Sequence, residues 1–197
     1  VDYLRAWEWL VESIREGASH RKDVRVSMEY KQSEPRSHVI LDTAAKSLLL
    51  CHHVGLDNVG VTLDMGHALY AGEATGQSAA LLAASGKLFL VHVNDNYRNW
   101  DWDLVPGSVN FWDMVEFFYY LRRVGYDGWF VADVFPARLD KVRAFGTTYR
   151  MLRLADQLVS HLGLERIGRL LETGSPLDVL EALVQPLEDT LGLSRAL

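Results

Sequence analysis

Four short β-rich runs constrain this chain more than any other feature. They are VRVSMEY (24–30), NVGVTLDMGH (58–67), KLFLVHV (87–93) and WFVADV (129–134). Each is followed by a stretch with helical periodicity: DTAAKSLLLCHHVG (42–55), residues 76–85, VNFWDMVEFFYYLRRVGY (109–126) and about 139–160. Short buried strands alternating with helices imply parallel strands joined by crossover helices. A helix precedes the first strand, with Tyr3, Leu4, Trp7, Leu10, Val11 and Ile14 in phase and Gly17 as its stop. Asp42 or Thr43 caps the second helix, Gly55 ends it, and Gly86 ends the third. Two further helices follow residue 160, joined at GSP (174–176).

Two α/β layouts accept this pattern, a doubly wound open sheet and a (β/α)8 barrel of the TIM type. No G-x-G-x-x-G follows any strand, so a dinucleotide-binding sheet has little support. In a barrel, chemistry gathers at the C-terminal ends of the strands. Those ends carry Glu29, with Lys31 two residues on; Asp64, with His67 three residues on; His92, with Asn94 and Asp95 beyond it; and Asp133. The spacings 29 to 64, 64 to 92 and 92 to 133 are 35, 28 and 41 residues, one βα unit each. A single strand-end Asp is usually a turn former or a helix cap. Four such residues in otherwise apolar strands are harder to place as turns, because a buried acid without a partner costs several kcal/mol. A cation at the barrel mouth is the simplest common partner. Three carboxylates and an imidazole suit Mn²⁺, Mg²⁺, Co²⁺ or Zn²⁺.

The segment HVNDNYRNWDWD (92–103) adds three Asp, three Asn and two Trp to that end of the fold. In an extended loop Asp101 and Asp103 point to the same side and reach one ion, while Trp102 packs away. Trp100, Trp102 and Phe135 read as loop-anchoring packing. His20, His38, His52, His53 and His161 read as structural or exposed, and Asn94, Asn96 and Asn99 as loop residues. Lys31 has two readings, a group facing the site or a surface lysine paired with Glu34; beside four ligand candidates the first is preferred.

Together, SMEYKQSEPR (27–36), VTLDMGH (61–67), KLFLVHVND (87–95), DWDL (101–104) and ADVFPAR (132–138) resemble the C-terminal half of a xylose isomerase-like TIM barrel. The resemblance covers roughly residues 24–160, with E-x-K, E-P-R, a metal acid with G-H, D-x-D and a final strand-end Asp in the family's order. His92 and Asp64, at positions where xylose isomerases proper carry other acids, bring it closer to the bacterial L-rhamnose isomerases. The resemblance implies two divalent-metal sites, with Mn²⁺ the first choice. The first consists of Glu29, Asp64, His92 and Asp133. The second consists of His67, Asp101 and Asp103, with Asp64 bridging. It implies an aldose–ketose isomerase (an intramolecular oxidoreductase) that shifts hydrogen between C1 and C2 of a sugar. Lys31 would donate to the C1 oxygen, His67 would contact the sugar, and Asp101 and Asp103 would hold the catalytic ion.

The alternative within the superfamily is a single-metal ketose 3-epimerase. Such enzymes share the strand-end acid, G-H and strand-end His, but carry Glu at the last strand end and lack D-x-D. A third reading, from another class, is a non-catalytic half-barrel interaction module. An endonuclease IV-like reading shares the fold, but net charge −6 with no basic stripe speaks against nucleic acid. A lone cysteine, Cys51, permits no internal disulfide and fits a reducing, cytoplasmic setting. No apolar run approaches the roughly 18 residues of a membrane span.

Four βα units are half of the eight in a full barrel. The expectation is therefore a half-barrel over 1–160 and a helical tail over 161–197 that serves as an oligomer contact. The chain opens directly on a helical pattern without an initiator Met or a signal-peptide layout. It reads as a fragment lacking the N-terminal half, or alternatively as a half-barrel that forms a homo-oligomer (dimer or tetramer) to cover its open edges.

Overall fold

A computed structural model describes residues 1–192; the last five residues of the expected tail, 193–197, lie outside the described residues. The order is helix α1 (Tyr3–His20), strands β1 (Val26–Glu29), β2 (Ser33–Glu34) and β3 (Ser37–His38), helix α2 (Ala44–Val54), β4 (Val59–Asp64), α3 (Met65–Tyr70), α4 (Thr75–Ala84), β5 (Leu88–Val93), α5 (Phe111–Arg123), β6 (Phe130–Ala132), α6 (Lys141–Leu162), α7 (Leu164–Thr173) and α8 (Pro176–Leu191). Strands β1, β4, β5 and β6 form one parallel sheet in that order. This is the expected alternation of four βα units, half of a (β/α)8 barrel.

Strand β4 is buried along its whole length, as a central parallel strand must be. Helix α2 packs on β4, and α4 packs on both β4 and β5. From α5, Phe118 stacks on Phe130 of β6 with ring centroids 5.5 Å apart. The register carries one irregularity. Val61 pairs with Leu88 but Thr62 pairs with Leu90, leaving Phe89 as the extra residue of a β-bulge. The ring of Phe89 lies where a Cβ on Gly60 would be, 2.5 Å away. Past the bulge, Asp64 pairs with His92 and His92 with Val131. A slip of one residue would turn His92 to the other face of the sheet, so the bulge is what aligns it with Asp64.

Several boundaries differ from the sequence expectation for identifiable reasons. Helix α1 runs past Gly17 to His20, because Ala18 is buried and the Asn58 amide donates to the carbonyls of Ala18, Arg21 and Val24. The expected strand over 58–67 ends at Asp64, where the Asp64 carboxylate accepts from His67 N–H and caps the short helix α3. His67 therefore stands in a helical turn. The cap of α2 is Thr43, with Gly55 in the left-handed region at its end. The E-P-R segment forms the turn of the β2–β3 hairpin. Helices α7 and α8 pack on α6, and α7 also touches α5, so Ile167 and Ala182 belong to the main core. Among the described residues no helix is long and apolar enough to cross a membrane.

Candidate metal centre

The ends of all four parallel strands meet. One ligand atom from each of Glu29, Asp64, His92 and Asp133 lies within 4.8 Å of all the others. Among the described residues this is the one such grouping of three or more His, Cys, Asp or Glu side chains. His92 Nδ1 sits 3.2 Å from Glu29 Oε1, 3.7 Å from Asp133 Oδ2 and 3.8 Å from Asp64 Oδ2. Asp64 has no exposure to solvent, whereas Asp133 is half-exposed.

The electrostatics of this set favour a cation. Burial disfavours the charged form of Asp64 and outweighs the pull of His67, so its carboxyl rises from the usual 3.8 to about 6. Burial also pushes Glu29 up, but the hydrogen bond and charge of His92 prevail and hold it below its ordinary value. The Glu29 hydrogen bond raises His92 against its own desolvation. Three converging acids with one imidazole among them match the donor preferences of hard divalent ions, and these residues fit one.

Next to this cluster lies a second polar group. His67 Nδ1 is 2.8 Å from the Tyr30 carbonyl. A carbonyl only accepts, so Nδ1 carries the hydrogen, and Nε2 faces Asp101 Oδ2 at 3.2 Å. The same oxygen is 2.9 Å from Lys31 Nζ. Lys31 also reaches Glu34 at 3.2 Å, so it makes the surface pair and the site pair at once. Burial works against the charge of His67, but the Asp101 hydrogen bond and the charges of Asp64 and Asp101 carry it to about 9. Asp101 shows the reverse balance: burial raises it, His67 and Lys31 lower it further, and it falls to about 2. Its other oxygen, Oδ1, is buried with no hydrogen-bond partner.

Asp103 departs from the expected geometry. Its φ is +47°, so the D-W-D loop is not extended there, yet its carboxyl still meets that of Asp101. His67 and Asp101 meet, but His67, Asp101 and Asp103 do not form a ligand set. Asp103 stays close enough for burial, then Asp101 and Asp133, to raise it to about 7. The aromatic residues hold the loop. Trp100 packs edge-on against Tyr70, and Trp102 donates to Asn99 and packs on Tyr97. Phe135 is exposed. His53 accepts from the indole N–H of Trp7, away from the site.

Three residues take roles that the sequence does not assign them: Tyr30 is not singled out there, Asp95 is named at the strand end without a role, and Asn94 reads as a loop residue. Tyr30 is fully buried, gives its carbonyl to His67 and donates its hydroxyl to Glu73 at 2.6 Å. Asp95, also fully buried, accepts from the backbone N–H groups of Asn96, Val109 and Asn110 and from the Asn110 amide, closing the loop that carries Asp101. Asn94 donates to Asp64. The one available signal was the density of Asn and Asp in residues 94–96, which periodicity does not distinguish from a solvated loop.

Among solved structures the chain is similar to a xylose isomerase domain protein from Alicyclobacillus acidocaldarius subsp. acidocaldarius, at 25% identity and a TM-score of 0.60, over 82% of this chain and 59% of that one. A D-tagatose 3-epimerase-like protein aligns at 23% identity and TM-score 0.59, over 76% of this chain and 54% of that one. An L-ribulose 3-epimerase aligns at 19% identity and TM-score 0.55, over 97% and 59%. At those identities the last two show the fold alone. The chain spans little more than half the length of these structures. Comparison with curated proteins gives no match. A family model described as "Xylose isomerase-like TIM barrel" matches residues 1–155. With that match laid over four parallel βα units, the chain belongs to the xylose isomerase-like TIM barrel family.

Proposed function

We propose that the chain carries the metal-holding half of an aldose–ketose sugar isomerase of the L-rhamnose isomerase type, acting between C1 and C2. The observation that carries this reading is the Lys31–Asp101–His67 group directly beside the four-residue cluster. Glu29, Asp64, His92 and Asp133 would hold a divalent cation, Mn²⁺ being the first choice. A cation so held would supply Lewis-acid polarisation of neighbouring sugar oxygens. Lys31, its cation kept by Asp101 and Glu34 against partial burial, is placed to donate to a carbonyl oxygen as negative charge develops there. Asp101 stays ionised between Lys31 and His67, which both donate to its Oδ2. Tyr30 fixes the tautomer of His67, so that Nε2 is the nitrogen presented to Asp101 and, once deprotonated, to a second cation.

One observation favours the second reading, a single-metal ketose 3-epimerase: His67, Asp101 and Asp103 do not gather into a second ligand set. The experiment that separates them incubates the Mn²⁺-loaded chain in D₂O with aldoses and ketoses, L-rhamnose included, and follows products by NMR. Ketose from aldose without deuterium at the shifted position is the expected result. A C3-epimeric ketose carrying deuterium at C3 supports the epimerase. A metal-loaded chain that turns over no sugar supports a non-catalytic half-barrel.

A further inference from the structure

We propose that Asn94 and Gly66 form a positioning pair that sets the buried Asp64 carboxylate for its ion; the inference rests on reading Glu29, Asp64, His92 and Asp133 as the metal centre. Asn94 follows the end of β5, two residues beyond His92, and is fully buried. Its Nδ2 donates to both Asp64 oxygens, at 3.2 Å to Oδ1 and 2.9 Å to Oδ2. Oδ1 also accepts from the His67 N–H at 2.8 Å. A carboxylate offers about four lone-pair positions. Two on Oδ1 and one on Oδ2 are thus taken, and the one that remains lies on Oδ2, the oxygen nearer His92. The protein therefore leaves Asp64 a single free acceptor position, on the side of the cluster.

The chemistry of the amide explains why this residue is Asn. An aliphatic side chain there leaves a fully buried carboxylate without its second donor. An Asp adds another buried negative charge. The amide donates without adding charge, and it has one orientation, since reversing it sets Oδ1 against the Asp64 oxygens. In the observed orientation Oδ1 has no hydrogen-bond partner and points at Gly66. A Cβ on Gly66 would lie 1.7 Å from that oxygen and 2.7 Å from Asn94 Cγ. Gly66 is thus required for the amide to occupy its place. Asn96 ties the same turn again, donating from Nδ2 to the Gly66 carbonyl at 2.7 Å. The segment after β5 therefore grips the first turn of α3 at two points, and Asp64 is fixed before an ion arrives. Groups that orient ligands from behind in this way change metal affinity by about 10–100-fold when removed.

The test is Mn²⁺ titration calorimetry on the full chain, with Co²⁺ absorption spectra and metal-free thermal unfolding as further readouts. Asn94→Ala is expected to weaken Mn²⁺ binding by about 10–100-fold and to shift the Co²⁺ bands. Asn94→Ser, which keeps a donor in a smaller volume, is expected to fold and to bind with intermediate affinity. Gly66→Ala is expected to match Asn94→Ala, because its Cβ evicts the amide. The double variant Gly66→Ala/Asn94→Ala is expected to unfold at a higher temperature than the sum of the single losses predicts, since the clash is gone. Wild-type binding of Mn²⁺ with unchanged affinity in Asn94→Ala overturns the positioning role and leaves the metal centre standing. Strictly additive losses in unfolding overturn the pairing with Gly66. A wild-type chain that takes up no Mn²⁺ overturns the metal centre itself.

Discussion

At the scale of single residues, Lys31 and the strand-end acids give opposite kinds of prediction. Lys31 is a partner of Asp101, not a member of the ligand cluster. Lys31→Met is expected to lower kcat by about 10²–10³-fold, the range for removing one charge-stabilising donor, while Mn²⁺ affinity changes little. Steady-state kinetics beside calorimetric titration separates the two effects; equal losses in both place Lys31 in the metal site. The acids predict a pH dependence. Asp64 and Asp103 rise from the usual 3.8 to about 6 and about 7 in the metal-free fold. An acid whose pKa is higher in the folded state contributes stability that is fully present below 3.8 and lost as pH rises through the folded value. The metal-free chain is therefore expected to lose stability between about pH 4 and 7 as these groups ionise. His67, raised from 6.5 to about 9, adds stability that is full below 6.5 and is lost as pH rises from there through about 9. Because an ion binds the deprotonated acids, the Tm gain on adding Mn²⁺ is expected to grow over that same acidic-to-neutral window. Thermal unfolding with Mn²⁺ and with a chelator checks this, and a gain that is flat or shrinks with pH contradicts it. The candidate ligands Glu29, Asp64, His92 and Asp133 were legible in the sequence because each ends an apolar strand, where a polar side chain stands out. Asn94 and Tyr30 were not, since their importance depends on which strand lies beside them.

At the scale of elements, the loop between β5 and α5 is held from beneath by Asp95. Four donors converge on its two oxygens, and its backbone pairs with Leu104 in both directions. Asp95→Asn turns an acceptor into a donor facing those donors. It is expected to cost about 1–3 kcal/mol of stability, the penalty for buried polar groups left unmatched. The loop should also lose its hold on Asp101, so kcat is expected to fall while the fold persists at low temperature. Denaturant unfolding together with kinetics tests it; a variant that is less stable yet fully active shows that the loop does not position Asp101. The longer strands and helices could be read from periods of 2 and 3.6 over enough residues to average out noise. Helix α3 escaped because its six residues lie between a buried strand and α4, so apolar burial on every side hides any period. The bulge at Phe89 escaped because it is a property of two strands, not of either sequence alone. The left-handed turn at Asp103 escaped for a similar reason: loop dihedrals answer to the anchors at each end, here Asp95 and Phe135, whose N–H bonds the Asp103 carbonyl.

At the scale of the whole molecule, the parallel sheet has two open edges, β1 and β6. A sheet edge is a row of unsatisfied donors and acceptors that pairs with another strand when one is available. On β6 the register places Val131 beside His92, and it is 40% exposed, so an apolar side chain is open to solvent next to the proposed site. Trp129 is exposed at the start of the same strand, and Val142 and Tyr149 are exposed on the following helix. We propose that a second half-barrel completes this face, and that in the isolated chain a second copy takes that place. Sedimentation is then expected to show dimers or larger species whose fraction rises with concentration. Val131→Lys sets a charge on the inward face of an edge strand, a substitution that blocks edge pairing. It is expected to shift the population towards monomer without unfolding the core, since no buried residue changes. If the chain is monomeric throughout, the two edges do not pair with a second copy. If it associates equally with and without the lysine, the contact lies elsewhere, and the exposed leucines of α8, Leu177, Leu180 and Leu191, are the surface to mutate next. An active monomer would place the entire catalytic requirement on Lys31, Asp101 and the strand-end cluster, and would remove the need for a second half-barrel in turnover.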